Sequence, residues 1–258
     1  MANAGRDRAL LPALTGIALA GGALAAYWSP TIPWLRTPLR AMLGIADSLE
    51  SDKAVALTFD DGPHPAGTVA VLEALAAYRA RATFFLVGEQ LAGRHALAAE
   101  IVAAGHEVAV HCHHHRTPLR LTPSQLADDI ARAADLIGLA TGQAPRWYRP
   151  PYGRLTIAAV TASRRHGLEP LLWSRDSRDW EATATEHSIA ARVIDGLRGG
   201  DVVLLHDADH YGTRGSWQKT VAALPAILEA IDQRGLCSAS VSEGSRGTPE
   251  ADGSGSGR

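Results

Sequence analysis

Between residues 53 and 243, short apolar runs alternate with longer segments in which apolar residues recur every three or four positions. The runs are AVALTFD (54–60), ATFFLVG (82–88), EVAVHC (107–112), RWYRPPY (146–152), EPLLWSRD (169–176), DVVLLHD (201–207) and LCSASVS (236–242). Their lengths suit buried strands. Helical periodicity marks TVAVLEALAAYRA (68–80), ALAAEIVAAG (96–105) and TPSQLADDIARAADLIGLATG (122–142), the last with Thr122 placed for an N-cap and Gly142 for a stop. Strand-helix alternation of this kind predicts an α/β fold with a parallel sheet, either doubly wound or closed as a barrel. In both arrangements an active site forms at the C-terminal ends of the strands.

Those ends carry chemistry. The first run stops at Asp60-Asp61 and the third at His111, with His113, His114 and His115 following. The fourth leads into Arg149-Pro-Pro-Tyr-Gly, the fifth into Asp176-Ser-Arg-Asp179-Trp180, and the sixth ends at His206-Asp207. Charges placed only for solubility would be spread over both edges of the sheet and over helix faces. His111 and His115 are four apart, a spacing at which two imidazoles on a helical turn can share an ion. An Asp from another strand end would complete three ligands and leave a position open for water, as in catalytic zinc sites. Two His and one carboxylate also suit non-haem iron, and HCHHH leaves more than one choice of His pair.

Composition narrows the setting. The 258 residues suit one large α/β domain or two small ones, and 25 Lys+Arg against 27 Asp+Glu indicate no nucleic-acid partner. Cys112 and Cys237 are the only cysteines, too few for a disulfide framework. Residues 9–28 (ALLPALTGIALAGGALAAYW) contain no charge and are long enough for a membrane-crossing helix. They predict an N-terminal hydrophobic helix acting as anchor or as export signal, with Ala23-Leu24-Ala25 as a small-residue cleavage pattern. Arg6 and Arg8 before the segment compete with Arg36 and Arg40 beyond it in setting orientation. The chain thus divides into a hydrophobic segment and linker (1–52), a catalytic domain (53–243) expected outside the cytoplasm, and a polar tail (244–258) without periodicity. Nothing in the sequence specifies an oligomeric state.

TFDDGP (58–63), the segment from His111 to His115 after GHE, RPPYG (149–153), DSRDW (176–180) and LLHD (204–207) follow one another in that order. Together they resemble the five motifs of the polysaccharide deacetylase family, carbohydrate esterase family four. The resemblance implies a distorted (β/α) barrel of seven or eight mostly parallel strands and metal-dependent removal of N- or O-acetyl groups from a sugar. It implies one divalent metal ion, zinc first with Co2+, Ni2+ or Fe2+ as alternatives, on Asp61, His111 and His115. Asp60 then matches the general base and His206 the general acid. Arg149 matches the residue that keeps Asp60 ionised, and Asp179 the one that orients His206. In the substrate site, Pro151 belongs to the RPPYG turn, the backbone N–H of Tyr152 faces the oxyanion, and Trp180 and Leu204 line the acetyl pocket.

Met singly, these residues have plainer readings. Asp60-Asp61 before Pro63 also suits an Asx-turn, and Trp180 and Leu204 also suit ordinary core packing. The segment after GHE departs from the family in Ala109, Val110 and Cys112, the last expected to point into the core as a small hydrophobe. The substrate is left open among chitooligosaccharide, peptidoglycan amino sugars, acetylated xylan and lipid-linked amino sugars, with the hydrophobic segment favouring a cell-envelope glycan. A metal-dependent amidohydrolase acting on a non-sugar amide and a non-catalytic glycan-binding barrel are the alternative functions.

Overall fold

The computed structural model of the chain describes residues 42–245, so the hydrophobic segment at 9–28 and the tail from 246 lie outside the described residues. The chain order is β1 (Ala54–Asp60), α1 (Gly67–Ala77), β2 (Thr83–Val87), α2 (His95–Ala103), β3 (Glu107–Cys112), α3 (Pro123–Thr141), β4 (Trp147–Tyr148) and α4 (Ile157–Arg165). It continues with β5 (Glu169–Pro170), β6 (Arg175–Asp176), α5 (Glu186–Ile194), β7 (Val202–His206), α6 (Ser216–Gln233), β8 (Cys237–Ala239) and α7 (Val241–Gly244). The strands form one sheet in the order β5-β4-β3-β2-β1-β7-β6, with β8 on the first half of β1. Every strand pairing is parallel. This is the expected distorted barrel, open between β5 and β6.

Alternation along the strands sorts the core into two layers. Val55, Leu57 and Phe59 of β1, Phe84 and Leu86 of β2, Val108 and Val110 of β3 and Val203 and Leu205 of β7 belong to the large cluster shared with the helices. Ala54 and Ala56, Phe85, Ala109, Trp147 and Val202 belong to a second, smaller cluster, with Leu49 and Val241. Continuing that inner face towards the C-terminal ends gives Thr58 and Asp60 on β1, His111 on β3 and His206 on β7. The barrel interior therefore changes from apolar to ionisable along β1, β3 and β7. Ala109 and Val110, the departures after GHE, are the residues these two layers require.

The longest helix has the ends its sequence predicts. Thr122 caps α3 in a reciprocal box with Gln125, and Gly142 ends it at φ 70°. Four expectations are corrected. EPLLWSRD is not one strand but β5 and β6, at opposite ends of the sheet. Pro170 has no N–H to donate, and residues 171–174 cross the opening with Leu171, Leu172 and Ser174 bonded to Tyr148, Ala46 and Val202. In RWYRPPY only Trp147–Tyr148 is strand, and LCSASVS turns into α7 after Ala239. The boundary at residue 52 also moves, because Ile45 and Leu49 are buried and Ala46 and Ser48 bridge to Leu171 and Asp201.

Candidate active site

Adjacent carboxylates at the end of β1 should face opposite ways, and the turn that follows overrides this. Asp61 takes a left-handed backbone (φ 78°), and Gly62 follows where any Cβ would run into the Asp207 carboxylate. The turn is tied to β2 by Val87 N–H donating to Gly62 O at 2.8 Å. Asp207 is itself held by the Thr68 hydroxyl, which also accepts from His64 N–H at 2.7 Å. As a result both Asp60 and Asp61 are buried at the mouth of the barrel, with different neighbours.

Asp60 Oδ1 accepts from Arg149 Nη1 at 2.8 Å. The same nitrogen donates to Thr58 Oγ1 at 2.8 Å, Arg149 Nη2 donates to Leu172 O at 2.9 Å, and the guanidinium lies 4.0 Å over the Phe85 ring. Arg149 is fully buried, so it is an internal strut and not a surface ion pair. Burial pushes the Asp60 carboxyl up from its ordinary range, and Arg149 and His206 act against that rise.

Asp61 Oδ1 lies 3.5 Å from His111 Nε2 and 3.3 Å from His115 Nε2. Among the described residues these three form the one group of His, Cys, Asp or Glu whose ligand atoms come within 4.8 Å of one another in a metal-binding set. Asp61 Oδ1 and the Nδ1 atoms of both His residues are buried without a hydrogen-bond partner. Burial pushes the Asp61 carboxyl up to about 7, and burial lowers both imidazoles to about 3. Two neutral imidazoles and a carboxylate converging without a cation of their own are a donor set that fits a divalent ion.

Across the barrel mouth, register pairs Asp60 of β1 with His206 of β7. His206 Nδ1 lies 2.7 Å from Asp179 Oδ1, and Asp179 Oδ2 accepts from His206 N–H at 2.7 Å and from the Thr220 hydroxyl at 2.8 Å. Burial works to lower the His206 pKa, but the Asp179 carboxylate, aided by Asp61 and Asp60, holds it up at about 10. The imidazole is therefore a cation at neutral pH.

A cleft of about 370 Å³ opens onto Asp61 and His115 and is lined by Tyr152, Arg154, Trp173, Asp176, Trp180, Leu204 and Tyr211. Tyr152 (φ 58°) and Trp180 are exposed, whereas Leu204 is buried at the cleft wall. Pro151 is buried at the start of the turn that presents Tyr152 and is not among the residues lining this cleft. Cys112 is buried at the end of β3, with burial pushing its thiol well up, as the small-hydrophobe reading requires.

Several supporting residues escape the strand-end argument. Asp129 Oδ2 accepts from His113 N–H at 2.8 Å and its Oδ1 from His114 N–H at 3.1 Å, pinning the loop that carries His115. Its signal was present, since Asp129 falls in the buried stripe of α3 with Leu126, Ile130 and Ala133. Glu89 lies two residues beyond the end of β2, at the edge where the same argument points to it. Tyr211 lies in the connection from β7 to α6, where no periodicity singles it out.

An open parallel barrel with two carboxylates, two neutral imidazoles and an imidazolium at the mouth of its strands is a hydrolytic centre in layout. Residues 48–171 match the profile of the family described as polysaccharide deacetylase. The chain is 37% identical over 206 residues to a chitooligosaccharide deacetylase of Bradyrhizobium sp., covering 77% of this chain and 94% of that protein. It is 33% identical over 195 residues to a peptidoglycan-N-acetylglucosamine deacetylase of Bacillus cereus, covering 75% and 88% respectively. A solved peptidoglycan N-acetylglucosamine deacetylase superposes with a TM-score of 0.73 at 26% identity, covering 79% of this chain and 94% of the other. The chain belongs to the polysaccharide deacetylase family, carbohydrate esterase family 4, and is an enzyme of carbohydrate deacetylation.

Proposed function

We propose that this enzyme hydrolyses the N-acetyl group of an amino sugar within a cell-envelope glycan, using one divalent ion, zinc, held by Asp61, His111 and His115. The observation that carries the reading is the contrast between neighbouring carboxylates. Asp60 is hydrogen-bonded to Arg149, while Asp61 Oδ1 faces the Nε2 atoms of two neutral imidazoles and has no hydrogen-bonded cation of its own. The bound ion would polarise the acetyl carbonyl and lower the pKa of a water molecule. Asp60, whose carboxylate form the Arg149 hydrogen bond favours, accepts the proton of the attacking water. The Tyr152 N–H donates to the oxyanion. His206, charged through Asp179, gives its proton to the departing amine, which would otherwise leave as a poor anion. Trp180 and Leu204 enclose the acetyl methyl.

An N-acetylglucosamine polymer is favoured because both relatives above are named for such substrates, chitooligosaccharide and peptidoglycan. The cell-envelope setting is supported by the uncharged segment at 9–28, which would anchor or export the chain. Among the described residues no helix is long and apolar enough to cross a membrane. The test is acetate release from chitooligosaccharide, peptidoglycan and acetylated xylan by stripped and zinc-restored protein. Release should require the ion and be greatest on N-acetylated substrates. Release from small acetamides with none from any glycan would sink the sugar assignment.

A further inference from the structure

His111 and His115 are not held alike. His111 belongs to β3 and its backbone is fixed by the sheet, whereas His115 lies in the loop beyond Cys112. A ligand imidazole is ordinarily oriented by a hydrogen bond from its second ring nitrogen. His115 Nδ1 is buried and has none. Its ring is instead covered by Tyr211, stacked with centroids 4.0 Å apart and 12° between planes, while Tyr152 meets it edge-on at 4.7 Å.

Tyr211 is itself anchored. Its hydroxyl donates to Glu89 Oε1 at 2.6 Å and accepts from Gln90 Nε2 at 3.0 Å. Glu89 Oε1 also accepts from His115 N–H at 3.4 Å, and Glu89 Oε2 lies 2.7 Å from His114 Nδ1. The Glu89 N–H donates to His113 O at 2.9 Å. One carboxylate thus ties down both the loop that carries His115 and the ring that covers it.

We propose that Tyr211 is a positioning residue of the metal centre: its anchored ring replaces the missing hydrogen bond to His115 Nδ1 and keeps Nε2 aimed at Asp61 and His111. The proposal rests on the metal-dependent reading above. It concerns the affinity of the site and not only the rate of the loaded enzyme.

The test uses stripped full-length protein, titrated with Zn2+ against a competing chelator and with Co2+, whose visible spectrum reports coordination geometry. Tyr211→Ala should weaken Zn2+ binding by roughly 10- to 100-fold, the usual effect of removing a group that orients a ligand, and should alter the Co2+ spectrum. Tyr211→Phe keeps the ring and loses its anchor, so it should recover part of both. Thermal unfolding of metal-free protein shows whether each variant is folded. If Tyr211→Ala is not folded, Tyr211→Leu, which fills space without a flat face, should show the same loss of affinity. A folded Ala or Leu variant with wild-type affinity and spectrum would overturn the proposal. Wild-type protein that binds neither ion would instead overturn the metal reading, and this proposal with it.

Discussion

The two sides of the barrel mouth differ in how completely the chain satisfies them. On the β7 side, Asp179 accepts from His206 N–H, His206 Nδ1 and Thr220, so its charge is met within the protein. On the β1–β3 side, Asp61 Oδ1, His111 Nδ1 and His115 Nδ1 are buried with no partner. A buried polar atom left unpaired costs about 1–3 kcal/mol, so the fold maintains one side for its own stability and the other against it. The difference separates a proton donor fixed by folding from a ligand set in which a bound ion would complete Asp61 Oδ1, the two Nδ1 atoms lying on the far side of their rings from it. Substitutions on the two sides should therefore fail in different ways.

The largest effect should come from the incomplete side. His111→Ala and Asp61→Asn should each lose bound metal and turnover together, because the ligands must act as a set. Asp60→Asn is nearly isosteric and is not one of the proposed ligands. It should retain the metal while kcat falls by ~10²- to 10⁴-fold, the range for a missing general base. Metal content and kcat measured on all three variants decide the matter. Metal lost from Asp60→Asn and kept by Asp61→Asn would exchange the two roles.

On the complete side, the decisive variable is charge. Asp179→Asn removes the carboxylate that does most to hold the His206 pKa up at about 10, leaving burial to lower it against the smaller pull of Asp61 and Asp60. Metal binding should persist. The alkaline limb of the rate profile should move from near the wild-type value to neutral pH or below, and activity at pH 7 should fall by ~10²-fold or more. Stability should respond as well. A His whose folded pKa is raised adds stability that is fully present below its unfolded value of about 6.5 and is lost as pH rises through the folded value. Wild-type protein should therefore lose stability between about pH 6.5 and 10, and Asp179→Asn should show little of that slope in urea unfolding across the range. An unmoved alkaline limb would remove His206 from the proposed role.

The same asymmetry explains what was legible in the sequence. Asp60, Asp61, His111, Arg149, Asp179 and His206 were found because a parallel sheet gathers its strand ends at one edge, and residues of these types there stand out against apolar runs. The ends of α3 were legible because Thr122 and Gly142 act through local geometry alone. The split of EPLLWSRD was not, because which edge of the sheet β5 and β6 join depends on partners at Tyr148, Ala46 and Val202, remote in sequence. Asp207 under Gly62, and Tyr211 over His115, are likewise long-range contacts without periodicity. The early start of the folded unit was hidden for another reason. Leu49 adds to the floor of the barrel from a segment too short to show a pattern.

The smallest expected effect separates charge from hydrogen bonding on the satisfied side. Thr220 reaches Asp179 from α6, and its hydroxyl is one of three donors to that carboxylate. Thr220→Val keeps the shape and removes that donor, so Asp179 remains charged and still faces His206. Loss of a hydrogen bond to a charged group should cost about 1.5–3 kcal/mol in unfolding free energy. The alkaline limb should stay in place, since the charge responsible for it is untouched, and metal affinity should not change. Urea unfolding, a rate profile and a Zn2+ titration on this one variant test all three statements. If the limb in Thr220→Val moved as far as in Asp179→Asn, the position of the carboxylate and not its charge would be what holds the proton on His206, and the fold would contribute to the acid through geometry alone.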